Sequence, residues 1–118
     1  MLQLSMELSK LIKTLNYNLL CGDENSNAIV KNGYTSDLLS DVMANMDDES
    51  ALITIQAHQN TIAVAGLKNA PLIIFCNNRP IETDVIEAAT KQGITILSTQ
   101  DNQFMASVKL SNALKQDF

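Results

Sequence analysis

Three apolar runs decide the fold: Ala51-Leu52-Ile53-Thr54-Ile55, Pro71-Leu72-Ile73-Ile74-Phe75 and Ile94-Thr95-Ile96-Leu97. Each is short, rich in β-branched residues and almost unbroken by polar ones, the pattern of a strand covered on both faces. After each run the spacing lengthens. Residues 60–68 form a short helix candidate, weakened by Thr61, Ile62, Val64 and Gly66. Residues 80–92 read as a helix with a glycine stop at Gly93. Residues 101–115 read as the last helix, with Phe104, Val108, Leu110 and Leu114 available for burial. Strand–helix alternation with short links predicts right-handed crossovers and a mostly parallel central sheet, hence an α/β protein of three layers, α/β/α.

Upstream of these runs, Leu4, Leu8, Leu11, Ile12 and Leu15 recur at helical spacing, and Asn16 ends the pattern. Residues 18–21 suit a short strand, followed by the polar loop Gly22-Asp23-Glu24-Asn25-Ser26-Asn27. Residues 28–31 suit another, closed by the turn pair Asn32-Gly33. Thr35 or Ser36 is placed to cap the next helix, with Asp37 in its first turn and Leu38, Leu39, Val42, Met43 and Met46 along one face. Asp47-Asp48-Glu49 opposes a helix C-terminal dipole and reads as loop.

The chain has 118 residues, which predicts one domain over 1–118. With 46% apolar and 18% charged residues it belongs with globular and not with disordered sequences. A net charge of -5, with its eight basic residues scattered, argues against nucleic acid and against an anionic membrane surface. No apolar run approaches the roughly 18 residues of a membrane span. No signal peptide is evident at the N-terminus, and Cys21 and Cys76 form no Cys-x-x-Cys pair. A reducing, cytoplasmic setting is expected.

In an open parallel sheet, ligands bind beyond the carboxyl ends of the strands. That rule nominates three polar loops with Gln56, His58 and Asn60, with Asn77, Asn78 and Arg79, and with Ser98 and Thr99. Each leads into a helix N-terminus, which offers backbone N–H groups to an anion. Polar residues after strands also cap helices and satisfy loop backbone, and both duties are open to these loops. His58 is the sole histidine and has no second histidine or paired cysteine nearby to complete a metal site. Asp37 and Asp41, four apart, are placed on one helix face, a spacing open to a divalent cation or to plain solvation. Cys76 lies close to Arg79, which lowers a thiol pKa, at a strand end, where burial raises it. There is no Gly-x-Ser-x-Gly elbow, no Gly-x-Gly-x-x-Gly and no Walker loop.

The string Gly33-Tyr34-Thr35-Ser36-Asp37-Leu38-Leu39-Ser40-Asp41-Val42-Met43-Ala44 is distinctive. Together with Leu52-Ile53-Thr54-Ile55-Gln56-Ala57-His58-Gln59-Asn60 and Gly93-Ile94-Thr95-Ile96-Leu97-Ser98-Thr99, it resembles a stand-alone DRTGG domain. That domain is similar to the amino-terminal domain of bacterial HPr kinase/phosphorylases. The resemblance implies an α/β/α regulatory or dimer-forming module, with no cofactor and no assigned catalytic residues. The eponymous Asp-Arg pair falls near His58-Gln59 and the Thr-Gly-Gly turn near Cys76-Asn77-Asn78, and neither matches.

Three functions follow as expectations. The leading one is a non-catalytic regulatory module, a homodimer or docked on a partner enzyme, with Met43 and Met46 available for an interface or for the core. The second is a sensor binding a nucleotide or another anionic metabolite, with Arg79 as the anion contact and His58, Asn77 and Asn78 as hydrogen-bonding groups. The third is an enzyme using His58 as a base or Cys76 as a nucleophile.

Overall fold

The computed structural model describes residues 5–114. Along the chain run β1 (Met6–Glu7), α1 (Leu8–Leu15), β2 (Asn18–Cys21), β3 (Ile29–Val30), β4 (Asn32–Thr35) and α2 (Leu39–Asn45). Then follow β5 (Ser50–Thr54), α3 (Gln59–Leu67), β6 (Leu72–Phe75), α4 (Thr83–Gln92), β7 (Thr95–Ser98) and α5 (Gln103–Leu114). Leu4 and Lys115, expected in the first and last helices, lie outside the described residues.

The period of two within the apolar runs sorts the molecule into layers. Ala51 and Ile53, Leu72 and Ile74, and Leu97 face a core with Leu8, Leu11, Ile12 and Leu15 of α1 and Ala106, Leu110, Ala113 and Leu114 of α5. Leu52, Ile73, Phe75 and Ile96 face the opposite core with Val42 of α2, Met46 just after it, Ile62 and Ala65 of α3, and Val85 and Ala89 of α4. Because each strand is apolar on both faces, neither layer can be left off without exposing it.

The main sheet has the order β2-β7-β6-β5-β4. β4, β5, β6 and β7 are parallel and β2 runs antiparallel beside β7, so the sheet is mostly parallel as expected. A separate antiparallel ribbon joins β1 to β3.

Several local expectations are corrected. Asn32-Gly33 is not a turn: it opens β4, the edge strand, in register with Ser50 and Ala51. Gly33 lies close under α5: a Cβ there would lie 2.5 Å from Leu110 Cδ2, so that side chain would have to shift. Asp37 is not in a first helical turn. The helix begins at Leu39, so Asp37 and Asp41 do not share a helix face. On α2 only Val42 is buried, with Met46 just beyond it, whereas Leu38 is 64% and Met43 38% exposed. The fourth helix starts at Thr83 and not at Pro80. The last starts at Gln103, where Asn102 Oδ1 accepts the backbone N–H of Met105. Asn102 is thus the residue that caps α5, while the Asp101 carboxylate accepts from Tyr17 and Lys109. Phe104 and Val108 are exposed, not buried, and Ala106 and Ala113 take their places in the core.

Candidate functional site

Register brings the three nominated strand ends to one edge: Thr54 pairs with Phe75, and Phe75 with Ser98. The same edge collects the end of β4, because Thr35 pairs with Ile53. From there the chain sends in a carboxylate that periodicity alone misplaced. Asp37 Oδ1 accepts from Thr54 Oγ1 and from the backbone N–H of Ile55, both at 3.0 Å. Its Oδ2 accepts from Gln103 Nε2 at 3.1 Å, so one side chain ties β4, β5 and α5 together.

The nominated residues divide into local groups. His58 caps α3, its Nδ1 accepting the backbone N–H of Asn60 at 3.0 Å. That contact fixes the tautomer in which Nδ1 carries no proton. The Gln56 carbonyl accepts Thr61 Oγ1, closing the same loop from the other side. Asn77 and Asn78 have φ of 62° and 51°, and the N–H of Arg79 donates to the Cys76 carbonyl at 3.4 Å. This is a turn with two left-handed central residues, the geometry in which Gly or Asn is required. The turn is sewn to the next loop, since the N–H groups of Asn77 and Asn78 donate to the carbonyls of Asp101 and Thr99. Ser98 Oγ faces Asn18 on β2 at 3.5 Å, and Thr99 Oγ1 accepts the N–H of Asp101. Gln56, His58, Asn60, Asn77, Asn78 and Arg79 are exposed, while Ser98 and Thr99 are half-buried.

A second cluster stands behind these loops. Asp101 Oδ2 accepts from Tyr17 Oη at 2.8 Å and from Lys109 Nζ at 2.7 Å. The Lys109 ammonium also sits 5.7 Å from the centroid of the Tyr17 ring. Burial, then the hydrogen bond to Asp101, pushes the Tyr17 phenol far above its ordinary range. The Lys109 and Tyr17 hydrogen bonds hold the Asp101 carboxyl below the usual carboxylate range. Asp41 is likewise held low by hydrogen bonds from Asn45, Ser36 and Tyr34.

Cys76 is fully buried at the end of β6, and burial, then the charges of Asp101 and Asp37, push its thiol up to about 11. A thiol so placed is protonated at neutral pH and is a poor nucleophile. Among the described residues no group of three or more histidine, cysteine, aspartate or glutamate side chains is placed to hold a metal ion. Nor, among them, is any helix long and apolar enough to cross a membrane. Sequence reasoning missed the Tyr17–Asp101–Lys109 cluster and the clamp by Asp37. Tyr17 and Asp101 are 84 positions apart and Asp37 and Gln103 are 66 apart, beyond any periodic signal.

The order of winding also shapes this edge. β4 to β7 are laid down in sequence across the sheet with α2, α3 and α4 all on one face. The reversal of strand order that opens a crevice in doubly wound sheets does not occur among these strands. Instead the loops after β6 and β7 bond directly to each other.

The DRTGG domain family matches residues 10–113, and the chain belongs to that family. Among solved structures, it is similar to the CBS and DRTGG domains of the regulatory region of Clostridium perfringens pyrophosphatase, complexed with activator, diadenosine tetraphosphate. The TM-score is 0.74 at 18% identity, over 92% of this chain and 47% of that one, so this chain spans about half the length of that relative. No curated protein matches the chain significantly.

Proposed function

We propose that this chain is a non-catalytic regulatory module, residues 1–118 acting as one unit that forms a homodimer or docks on a partner enzyme in the cytoplasm. The observation that carries this reading is the engagement of the reactive groups at the strand ends. His58 Nδ1 caps a helix, Asp37 clamps β5 to α5, and Asp101 binds Tyr17 and Lys109. Cys76 is buried with its thiol raised. Groups consumed in holding the fold are poor acids, bases and nucleophiles. Membership of a family whose domain stands in the regulatory region of another protein supports the same reading. Sedimentation of the full chain tests the association: a monomer at every concentration, together with no effect on any co-purifying enzyme, removes the reading.

A second reading, a sensor of a nucleotide or another anionic metabolite, is favoured by one observation. The similar regulatory region is complexed with diadenosine tetraphosphate. Here Arg79, exposed on the turn after β6, is the anion contact, with Gln56, His58, Asn60, Asn77, Asn78, Ser98 and Thr99 along the same edge. Thermal-shift titration with diadenosine tetraphosphate, ATP and inorganic phosphate tests it. Saturation to about 100 times Kd adds about 2.7 kcal/mol, a rise in Tm on the order of 10 °C. Arg79→Ala is expected to abolish the shift, and an unchanged shift in that variant removes the assigned role.

A further inference from the structure

The edge of the sheet opposite the nominated loops holds a cleft of about 270 Å³. It lies at the amino ends of β6 and β7, where Pro71 precedes the first strand and Ile94 the second. Leu8 at the start of α1, Ala28, Pro71 and Ile94 give it apolar walls. The loop after β2 borders it and is tied to α1, since the N–H groups of Leu8 and Ser9 donate to the carbonyls of Ala28 and Ser26. An apolar cavity of about 150 Å³ holds a benzene molecule, so this cleft has room for roughly ten non-hydrogen atoms.

Three hydroxyls line the cleft, and one of them is idle. Thr90 Oγ1 donates to the Ile86 carbonyl at 2.8 Å, and Ser26 Oγ accepts the N–H of Ala28 at 3.1 Å. Thr95 is only 2% exposed, yet no described residue bonds its Oγ1. A hydroxyl so placed is ordinarily satisfied, and the exception calls for a partner from outside the chain. Gly22 lies over this hydroxyl, and any Cβ there would collide with Thr95 Oγ1. The next residue, Asp23, is the one ionisable group among the described lining residues. Its Oδ1 accepts the N–H of Asn25 at 2.9 Å, and no described residue bonds its Oδ2. The carboxyl end of α4 also borders the cleft through Thr90 and Gly93, and such a helix end carries partial negative charge. Lys91, in the same turn, does not line it.

We propose that this cleft binds a small organic ammonium compound. Its apolar body lies against Leu8, Ala28, Pro71 and Ile94, and its nitrogen is held by the Asp23 carboxylate and the Thr95 hydroxyl. An ammonium brings three donors and no acceptor, and the cleft answers with a carboxylate, an idle hydroxyl and the end of a helix. An anion of the same size meets that carboxylate and the wrong end of the helix dipole. A neutral alcohol bonds Thr95 and leaves the charge of Asp23 unused. The site stands at the other end of the strands from Arg79, so it does not depend on the sensor reading of that edge.

Nuclear magnetic resonance titration of the isotope-labelled full chain tests the proposal with three probes of one shape: isoamylammonium, isoamyl alcohol and isovalerate. The ammonium is expected to shift the amide signals of Gly22, Gly93 and Thr95 saturably at concentrations up to about 10 mM. The alcohol is expected to bind at least fivefold more weakly, and isovalerate to leave those signals in place. Asp23→Asn removes the charge and keeps the acceptor for Asn25, and is expected to weaken ammonium binding about tenfold. Thr95→Val is expected to weaken it at least threefold. Asp48→Asn, at an exposed carboxylate elsewhere on the molecule, is expected to change nothing. If Thr95→Val fails to fold, Asp23→Asn, at an exposed position, decides alone. No saturable shift at those amides, binding of the alcohol or isovalerate as tight as that of the ammonium, or an unchanged Kd in Asp23→Asn overturns the proposal.

Discussion

At the level of single residues, the two asparagines after β6 show how a family pattern can be lost in letters and kept in backbone. The Thr-Gly-Gly turn expected near Cys76-Asn77-Asn78 is absent as sequence, yet both central residues hold the left-handed φ that glycine would supply. Asn is the residue type that takes this conformation at least cost after glycine. Asn77→Gly is therefore expected to change stability by less than about 0.5 kcal/mol and Asn77→Val to cost at least about 1 kcal/mol in urea unfolding. Equal losses in both would show that the side chain, and not the φ, matters. Asp37 is the opposite case, a residue whose letter is conspicuous and whose role is hidden. Its bonds reach Thr54, which is fully buried, and the backbone of Ile55. Asp37→Ala orphans both donors, and a loss of about 2–3 kcal/mol is expected. A variant as stable as the wild type would contradict the clamp.

At the level of elements, the strands were legible because their apolar period sets them by itself. The helix faces were less so. On α5, apolar identity alone nominates Phe104 and Val108 together with Leu110 and Leu114, although the two pairs stand on different faces and only the second pair is buried. What turns the helix that way is a contact with a distant strand: Leu110 settles where Gly33 has no Cβ. Gly33→Val is expected to cost about 1–3 kcal/mol by forcing Leu110 out of place, which denaturant unfolding measures directly. The joint between α5 and β2's approach is held by Asp101, and it is sensitive to pH. A carboxyl held below its unfolded pKa stabilises the fold at pH values above that unfolded value and loses the contribution as pH falls through the folded one. Asp101 and Asp41 both have this sign. Stability is expected to fall as pH drops below about 4, and Asp101→Asn to flatten that fall. Tyr17 has the other sign. Its phenol is raised in the fold, so its contribution is complete below about pH 10 and is lost as pH rises further.

At the level of the whole molecule, the class of fold followed from alternation, but the placement of β4 and β2 at opposite edges did not. Edge strands carry weaker apolar signals, and Asn32-Gly33 in isolation is turn chemistry that the parallel pairing with β5 overrides. The strand-end edge was legible for the same reason the strands were. Its wiring was not, because the decisive bonds join residues far apart in sequence. The consequence is a core whose centre should open only when everything opens. Cys76 lies on β6's carboxyl end in the middle of the five-stranded sheet with no exposed surface, whereas Cys21 on the β2 edge is half-buried. Local opening of an edge strand is cheaper than global unfolding, and thiol labelling separates the two. In native buffer a disulfide reagent is expected to modify Cys21 first. Cys76 should follow with a rate that rises with urea on the same slope as global unfolding. If Cys76 reacts as fast as Cys21, or with no dependence on urea, the strand-end loops open locally and the stitching between the β6 and β7 loops does not seal that edge.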